Sequence, residues 1–334
     1  MKIAIVKLSA LGDIIHAMVV LQFIKQHNPK AQIDWVVEAG FKAILENNPD
    51  INQIHTINLK QVKAQKSLRL LIRELRQLRK LPKYDVVIDM QGLIKSALVA
   101  RLIPSKRTFG FDKASLREPF AAYFYSHTCH KDYADNVIER NAFIVSSALD
   151  IEITHQDLLN KQAFLHSAYQ SFEHLLSEAK SNVILVPGAS FASKIYPVEQ
   201  YAQLTQQLDV NFIITWGNEQ EKVMASEIQR LSPEVKITNQ LSLDTLKNLI
   251  AQADLVIGGD TGPTHMAWAS DIASITLFGV TPAQRNTYAT PINQTLASNN
   301  TVNAYKIDKH DLSIKEIQVD DIVKMTKELL KESV

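Results

Sequence analysis

The chain has 334 residues, a formal net charge of +1, 46% hydrophobic and 21% charged residues, and one cysteine. Its length suits two domains and its composition excludes a disordered or fibrous chain, while the lone Cys129 excludes an intrachain disulfide and a multi-cysteine metal site. No apolar run reaches the roughly 20 residues that span a bilayer, and Met1 to Lys7 read as a strand rather than a signal peptide, so a cytoplasmic protein is expected.

Short runs rich in Ile and Val, at Ile3 to Val6, Ile33 to Val37, Ile54 to Ile57 and Val86 to Ile88, alternate with segments of helical period. The rhythm restarts at Val183 to Val186 and continues at Phe212 to Thr215, Leu255 to Ile257 and Ser274 to Phe278. Apolar strands without polar alternation imply burial on both faces, so the fold class is α/β: two doubly wound parallel sheets. The polar stretch Glu152 to Gln162 is the expected linker, and a last helical pattern runs over Ile317 to Leu330.

Charge is unevenly spread. Residues 1–150 hold 22 Lys and Arg against 14 Asp and Glu, a surplus of eight, and the remainder carries a deficit of seven. The first half therefore suits an anionic partner. Within it, Lys60 to Lys83 holds nine basic residues and one acid, with Arg69, Arg73, Arg76 and Lys80 at helical spacing beside Leu68, Leu71, Ile72, Leu75 and Leu78. That pattern fits an amphipathic helix on anionic lipid or the solvated face of a core helix. Nucleic acid is disfavoured because no binding module accompanies the patch.

Glycine turns after the strands are where an open α/β sheet binds ligands. The first, Lys7-Leu8-Ser9-Ala10-Leu11-Gly12-Asp13, is not GxGxxG. Asp13 reads either as a helix N-cap or as a base positioned to deprotonate an acceptor hydroxyl. In Val186 to Pro197, Lys194 can neutralise a diphosphate leaving group or be an ordinary surface lysine. Trp216-Gly217-Asn218-Glu219-Gln220-Glu221 offers Glu221 as a ribose partner or as a helix first-turn acid. The strongest local signal is Asp254 to His265: an apolar strand entering Gly258-Gly259-Asp260-Thr261-Gly262-Pro263, where a helix N-terminus makes an anion site and Asp260 suits sugar hydroxyls. His265 is open between a packing and a ligand role. No HExxH, DxD, GxSxG or P-loop occurs, so a nucleotide-sugar enzyme built this way is expected to work without a divalent ion.

The segments KLSALGDIIHA, DMQGLIKSALVARL, ERNAF, WGNEQE and GGDTGPTH, in that order over essentially the whole chain, resemble the lipopolysaccharide heptosyltransferases of glycosyltransferase family 9. DMQGLIKSA is most similar to the heptosyltransferase I branch, which transfers L-glycero-D-manno-heptose from ADP-heptose to Kdo-lipid A. The resemblance implies a GT-B fold: two Rossmann-like domains facing each other across a cleft, acceptor-binding over 1–160 and nucleotide-sugar-binding over 161–315. A terminal helix, 316–334, would pack back on the first domain. It also implies inverting transfer with no metal or other cofactor, on the inner face of the inner membrane as a peripheral protein.

By match of motif, Asp13 resembles the catalytic base and Lys194 the diphosphate-binding lysine. Glu221 resembles the ribose acid and Asp260 the heptose-binding aspartate, with Thr261, Gly262 and His265 completing the pocket and Leu241 lining the adenine. Relatives often carry a threonine pair where this chain has Ala189 and Ser190, so Ser190 supplies one hydroxyl to phosphate, and Tyr196 replaces a tryptophan. The basic residues expected to meet the anionic acceptor are Lys60, Lys63, Lys95, Arg117 and Arg140. The competing readings are a same-fold glycosyltransferase with another donor or acceptor (including heptosyltransferase II), a nucleotide-sugar epimerase, and a non-catalytic nucleotide-binding or membrane-surface module.

Overall fold

Strands form where apolar residues run without alternation, because both sheet faces are covered by helices. A computed structural model describes residues 1–300, 302–305 and 307–331. It resolves two units, Met1–Phe164 and Leu165–Val334.

The first unit holds strands β1 (Lys2–Val6), β2 (Gln32–Glu38), β3 (Gln53–Ile57), β4 (Tyr84–Asp89), β5 (Ser105–Phe111) and β6 (His127–Cys129). They make one parallel sheet in the order β3-β2-β1-β4-β5-β6, with Ile3 of β1 opposite Ile33 on one side and Val86 on the other. Its helices are α1 (Leu11–Met18), α2 (Val20–His27), α3 (Lys42–Leu45), α4 (Leu59–Gln65), α5 (Leu68–Leu78), α6 (Ile94–Leu102), α7 (Val137–Leu149) and α8 (His155–Leu159). Ala4, Val6, Val36, Val87, Val99 and Ile103 form part of its core.

The second unit repeats the plan with β7 (Asn182–Val186), β8 (Asn211–Ile214), β9 (Lys236–Ile237), β10 (Leu255–Gly259), β11 (Ala273–Phe278) and β12 (Asn293–Ala297). Their order, β12-β11-β10-β7-β8-β9, is the same winding read from the other edge. Helices α9 (Val198–Gln206), α10 (Glu219–Leu231), α11 (Leu243–Ile250), α12 (Gly262–Ala269), α13 (Ala283–Asn286) and α14 (Val319–Lys331) complete it. Each sheet reverses strand order at its middle, between β1 and β4 and between β7 and β10. Ligands of such sheets bind outside the carboxyl ends of the strands at that switch point.

Every strand expected from the sequence forms, whereas β5, β6, β9 and β12 were not anticipated. These lie toward the sheet edges, where polar residues such as Lys106 and Arg107 are tolerated and the apolar signal fades. The stretch Glu152 to Gln162 is not a free linker. Thr154 Oγ1 accepts from the Asp157 N–H at 3.1 Å while the Asp157 carboxylate accepts from the Thr154 N–H at 2.7 Å, a reciprocal cap that starts α8. The terminal helix α14 belongs to the second unit: it packs on α9, β10 and β11, and Val319, Ile322, Val323 and Leu329 join that core. Each such burial stabilises the helix on the second sheet by roughly 1.5–3 kcal/mol. Residues 332–334 of that expectation lie outside the described residues.

Candidate active site

At the first unit's switch point, the turn after β1 is laced to the turn after β4. The buried Lys7 donates through Nζ to the Met90 carbonyl at 2.9 Å, and the Leu8 N–H donates to Gln91 Oε1 at 2.8 Å. Asp89 is wholly buried at the end of β4 and accepts four hydrogen bonds, from Gln91 N, Gly92 N, Ser96 Oγ and Tyr125 OH. Burial pushes its carboxyl above the usual range despite those donors. Gly92 has φ of +70°, a left-handed conformation that the tight turn requires and glycine adopts without strain. Neither Asp89 nor Gln91 was given a role from the sequence, although both lie in the DMQG segment.

Asp13 is not the N-cap of α1. Ala10 holds that position with no side-chain oxygen, and Asp13, three residues on, turns its Oδ2 back to the Ala10 N–H at 3.1 Å. The carboxylate is half-buried and keeps acceptor capacity beyond that contact, as a general base needs.

Of the expected acceptor cations, Lys60, Lys63, Lys95 and Arg117 are exposed on the first unit. Lys60 Nζ lies 4.4 Å from the Phe41 ring centroid. Arg140 departs from the expectation. It is buried, donates to the carbonyls of Lys131, Asp132 and Ser115, and stacks 4.2 Å from the Phe111 ring. A guanidinium so committed fastens the segment before α7 and offers little charge to an acceptor. Cys129 is a half-buried thiol that burial pushes up to about 11, a weak nucleophile at neutral pH.

In the second unit, β7 ends in the loop that carries Ser190 and a 3-10 turn, Ala192–Lys194. Lys194 Nζ donates to Asp260 Oδ2 at 2.5 Å. The same oxygen accepts from Thr281 Oγ1 at 2.8 Å and Asn286 Nδ2 at 3.2 Å, and Oδ1 lies 2.9 Å from His265 Nε2. Burial alone would raise the Asp260 carboxyl, but His265 and Lys194 hold it well below the usual carboxylate range. His265 is thus a buried partner of Asp260 rather than a surface residue.

Thr261 is the N-cap of α12 yet its hydroxyl makes no cap; it lies 3.4 Å from Thr264 Oγ1. Gly262 opens the helix and Pro263 follows without an N–H to satisfy. The first-turn amides of Gly262 and Thr264 have no intrahelical acceptor, which makes this end attractive to an anion. Glu221 accepts from the Gly217 N–H at 2.7 Å and crosses over Gly188, where a Cβ would come within 2.3 Å of its carboxyl carbon. Leu241 sits in the β9–α11 loop, which Gln240 ties to the Gly217 carbonyl at 3.0 Å. The second unit thus gathers Ser190, Lys194, Asp260, Thr261, Gly262 and His265 around one switch point, with Glu221 and Leu241 on the flanking turns. Tyr196 stands apart in the core, its OH on the Ile317 carbonyl at 2.9 Å.

Residues 70–316 match the model of glycosyltransferase family 9, the heptosyltransferases. The chain belongs to this family. Over 345 aligned residues, 98% of this chain and 99% of the relative, it is 38% identical to lipopolysaccharide heptosyltransferase 1 of Campylobacter coli. Among solved structures it superposes on the E. coli heptosyltransferase WaaC with ADP at a TM-score of 0.80, 23% identity, covering 98% of this chain and all of that one. It superposes on E. coli ADP-heptose heptosyltransferase II at 0.72 and 20% identity, with full coverage of both. This family 9 enzyme therefore has the GT-B fold of those structures, and it is a glycosyltransferase.

Proposed function

We propose that the enzyme transfers L-glycero-D-manno-heptose from ADP-heptose to Kdo-lipid A, with inversion and without a bound metal. The observation that carries this reading is the Lys194–Asp260–His265 cluster beside the α12 N-terminus, which pairs a cation and helix amides for a diphosphate with a carboxylate for a sugar. An acceptor hydroxyl oxygen attacks the anomeric carbon, the bond from that carbon to the diphosphate oxygen breaks, and ADP leaves as the anion. The proton passes to Asp13. Lys194 and the Gly262 and Thr264 amides offset the charge that develops on the diphosphate, the work a divalent ion performs elsewhere. Glu221 takes the ribose hydroxyls, Leu241 the adenine face and Ser190 a phosphate oxygen.

The acceptor's phosphates and carboxylates meet Lys60, Lys63, Lys95 and Arg117. No helix among the described residues is long and apolar enough to cross a membrane. The enzyme reaches its lipid substrate as a peripheral protein on the cytoplasmic side of the inner membrane. Leu68 and Ile72 on α5, Ile94 and Leu98 on α6, and Phe120 and Tyr123 beside α6 stand exposed among basic side chains, a composition that suits an anionic bilayer.

The test is incubation of the purified protein with ADP-heptose and Kdo-lipid A, with and without EDTA, followed by mass spectrometry of the lipid and NMR of the new linkage. A single heptose added in both samples, with inverted anomeric configuration, is expected. Transfer only to an already heptosylated acceptor would replace this reading with that of heptosyltransferase II, and no transfer to either would end it.

A further inference from the structure

We infer that Gln91 is a positioning residue for Asp13: its side-chain amide braces the turn from which the Asp13 carboxylate is held, and so sets where the proton of the acceptor hydroxyl is received. This rests on the reading of Asp13 as the base and goes beyond it. Two consecutive residues of the turn between β1 and α1 meet that amide. The Leu8 N–H donates to Gln91 Oε1 at 2.8 Å, and Gln91 Nε2 donates to Ser9 Oγ at 3.4 Å. An N–H can only donate, so Leu8 dictates which end of the amide faces it. The next residue is Ala10, whose N–H holds Asp13 Oδ2 at 3.1 Å. The carboxylate therefore takes its orientation from the backbone directly after the braced pair.

The brace is itself anchored. The Gln91 N–H donates at 2.9 Å to Oδ1 of the wholly buried Asp89, whose Oδ2 accepts from Ser96 and Tyr125. On its other side Leu8 is tied to the end of β2, its carbonyl accepting from the Glu38 N–H at 3.2 Å. Ser9 and Ala10 lie beyond that sheet contact, Ser9 half-buried and Ala10 exposed. Without the amide, the chain between Leu8 and the start of α1 gains freedom, and the carboxylate moves with it. A general base must come within about 2.6–3.2 Å of the group whose proton it takes. A displacement of about 1 Å can cost 10²-fold in rate. The donor-binding residues proposed above belong to the second unit, so loss of the brace falls on the chemical step and not on ADP.

The experiment is a kinetic double-mutant cycle on the full chain with ADP-heptose and Kdo-lipid A, rates being read by mass spectrometry of the lipid. Gln91→Met keeps the bulk of the side chain and deletes both bonds. It is expected to lower kcat about 10- to 100-fold, with the KM for ADP-heptose and the calorimetric ADP Kd unchanged. In an Asp13→Ala background the same substitution should change kcat by less than about twofold, because the brace has nothing left to position. Gln91→Glu, whose carboxylate can accept from the Leu8 N–H and from the Ser9 hydroxyl, should recover most of the lost turnover. An unchanged kcat in Gln91→Met, an equal loss in both backgrounds, or no recovery with glutamate overturns the positioning role and leaves Asp13 as the base. A loss of ADP affinity as large as the loss in kcat would make Gln91 merely structural and overturns it too. Ordinary turnover in Asp13→Ala removes the base assignment first, and the role of Gln91 falls with it. Circular dichroism melts establish that each protein is folded.

Discussion

Each unit buries one aspartate at the carboxyl edge of its middle strands, and the two are treated in opposite ways. Asp89, after β4, is surrounded by two backbone amides and two hydroxyls, all neutral, and its carboxyl is raised. Asp260, after β10, has an ammonium and an imidazole among its four donors, and its carboxyl is depressed. The number of hydrogen bonds is the same. Neutral donors satisfy the oxygens but do not offset the cost of burying the charge, whereas a nearby cation does. One carboxylate is scaffolding for a turn, and the other is an anion held beside a cation.

The half-buried Asp13 marks a third condition, a carboxylate with one backbone partner, and the largest expected effect belongs to it. Asp13→Ala should lower turnover by about 10²- to 10⁴-fold, the usual worth of a general base, with ADP binding intact. Ordinary activity in that variant would leave the first unit with scaffolding carboxylates alone. Next, Asp89→Ala strands four donors at once and should reduce folding stability by about 3–5 kcal/mol, read by urea unfolding. A loss under 1 kcal/mol would mean that the turn does not depend on it.

A smaller effect is expected in the second unit at Gly188. Gly188→Ala places a methyl against the Glu221 carboxyl and must push it from the Gly217 amide. Because the far end of a glutamate can yield, stability should fall by only about 1 kcal/mol while ADP binding weakens roughly tenfold. If calorimetry finds unchanged affinity, Glu221 is a helix-turn acid without a ligand role.

How much of this could be read in advance follows from sequence distance. Lys194, Asp260, Thr261 and His265 lie within continuous strand–turn–helix segments, so the local pattern marked them as candidates while the family resemblance suggested their roles. Thr281 and Asn286 reach Asp260 from the next turn of the sheet, 21 and 26 residues away, and are ordinary residue types with no periodic signature. Arg140 was expected at the acceptor because it lies in ERNAF, a segment that resembles the family, and a motif match does not reveal that α7 turns this side chain toward the carbonyls of Lys131, Asp132 and Ser115. The Thr154-x-x-Asp157 cap was legible in the supposed linker, since a Thr followed three residues on by an acid is a helix-start pattern. Parallel strands of the sheet middles were readable through continuous burial, but edge strands such as Asn293–Ala297 are too polar to stand out.

The finest test of the comparison is a change that keeps the shape of Asp89 and removes its charge. In Asp89→Asn the amide oxygen can still accept from Gln91 N and Gly92 N, and the amide nitrogen can donate to Ser96 Oγ and Tyr125 OH, which accept as well as donate. Stability at neutral pH should therefore change by less than about 1 kcal/mol. The pH dependence should change more. A carboxyl raised in the folded state binds its proton more tightly there than in the unfolded chain, so its contribution is fully present below the unfolded value and is lost as pH rises through the folded one. Asp260, depressed, acts in reverse: its contribution is present above the ordinary value of 3.8 and is lost as pH falls toward its folded value. Urea midpoints compared between acid and neutral pH should show a smaller decline with rising pH in Asp89→Asn than in the parent. If the two profiles coincide, Asp89 stays ionised when buried, and neutral donors suffice after all.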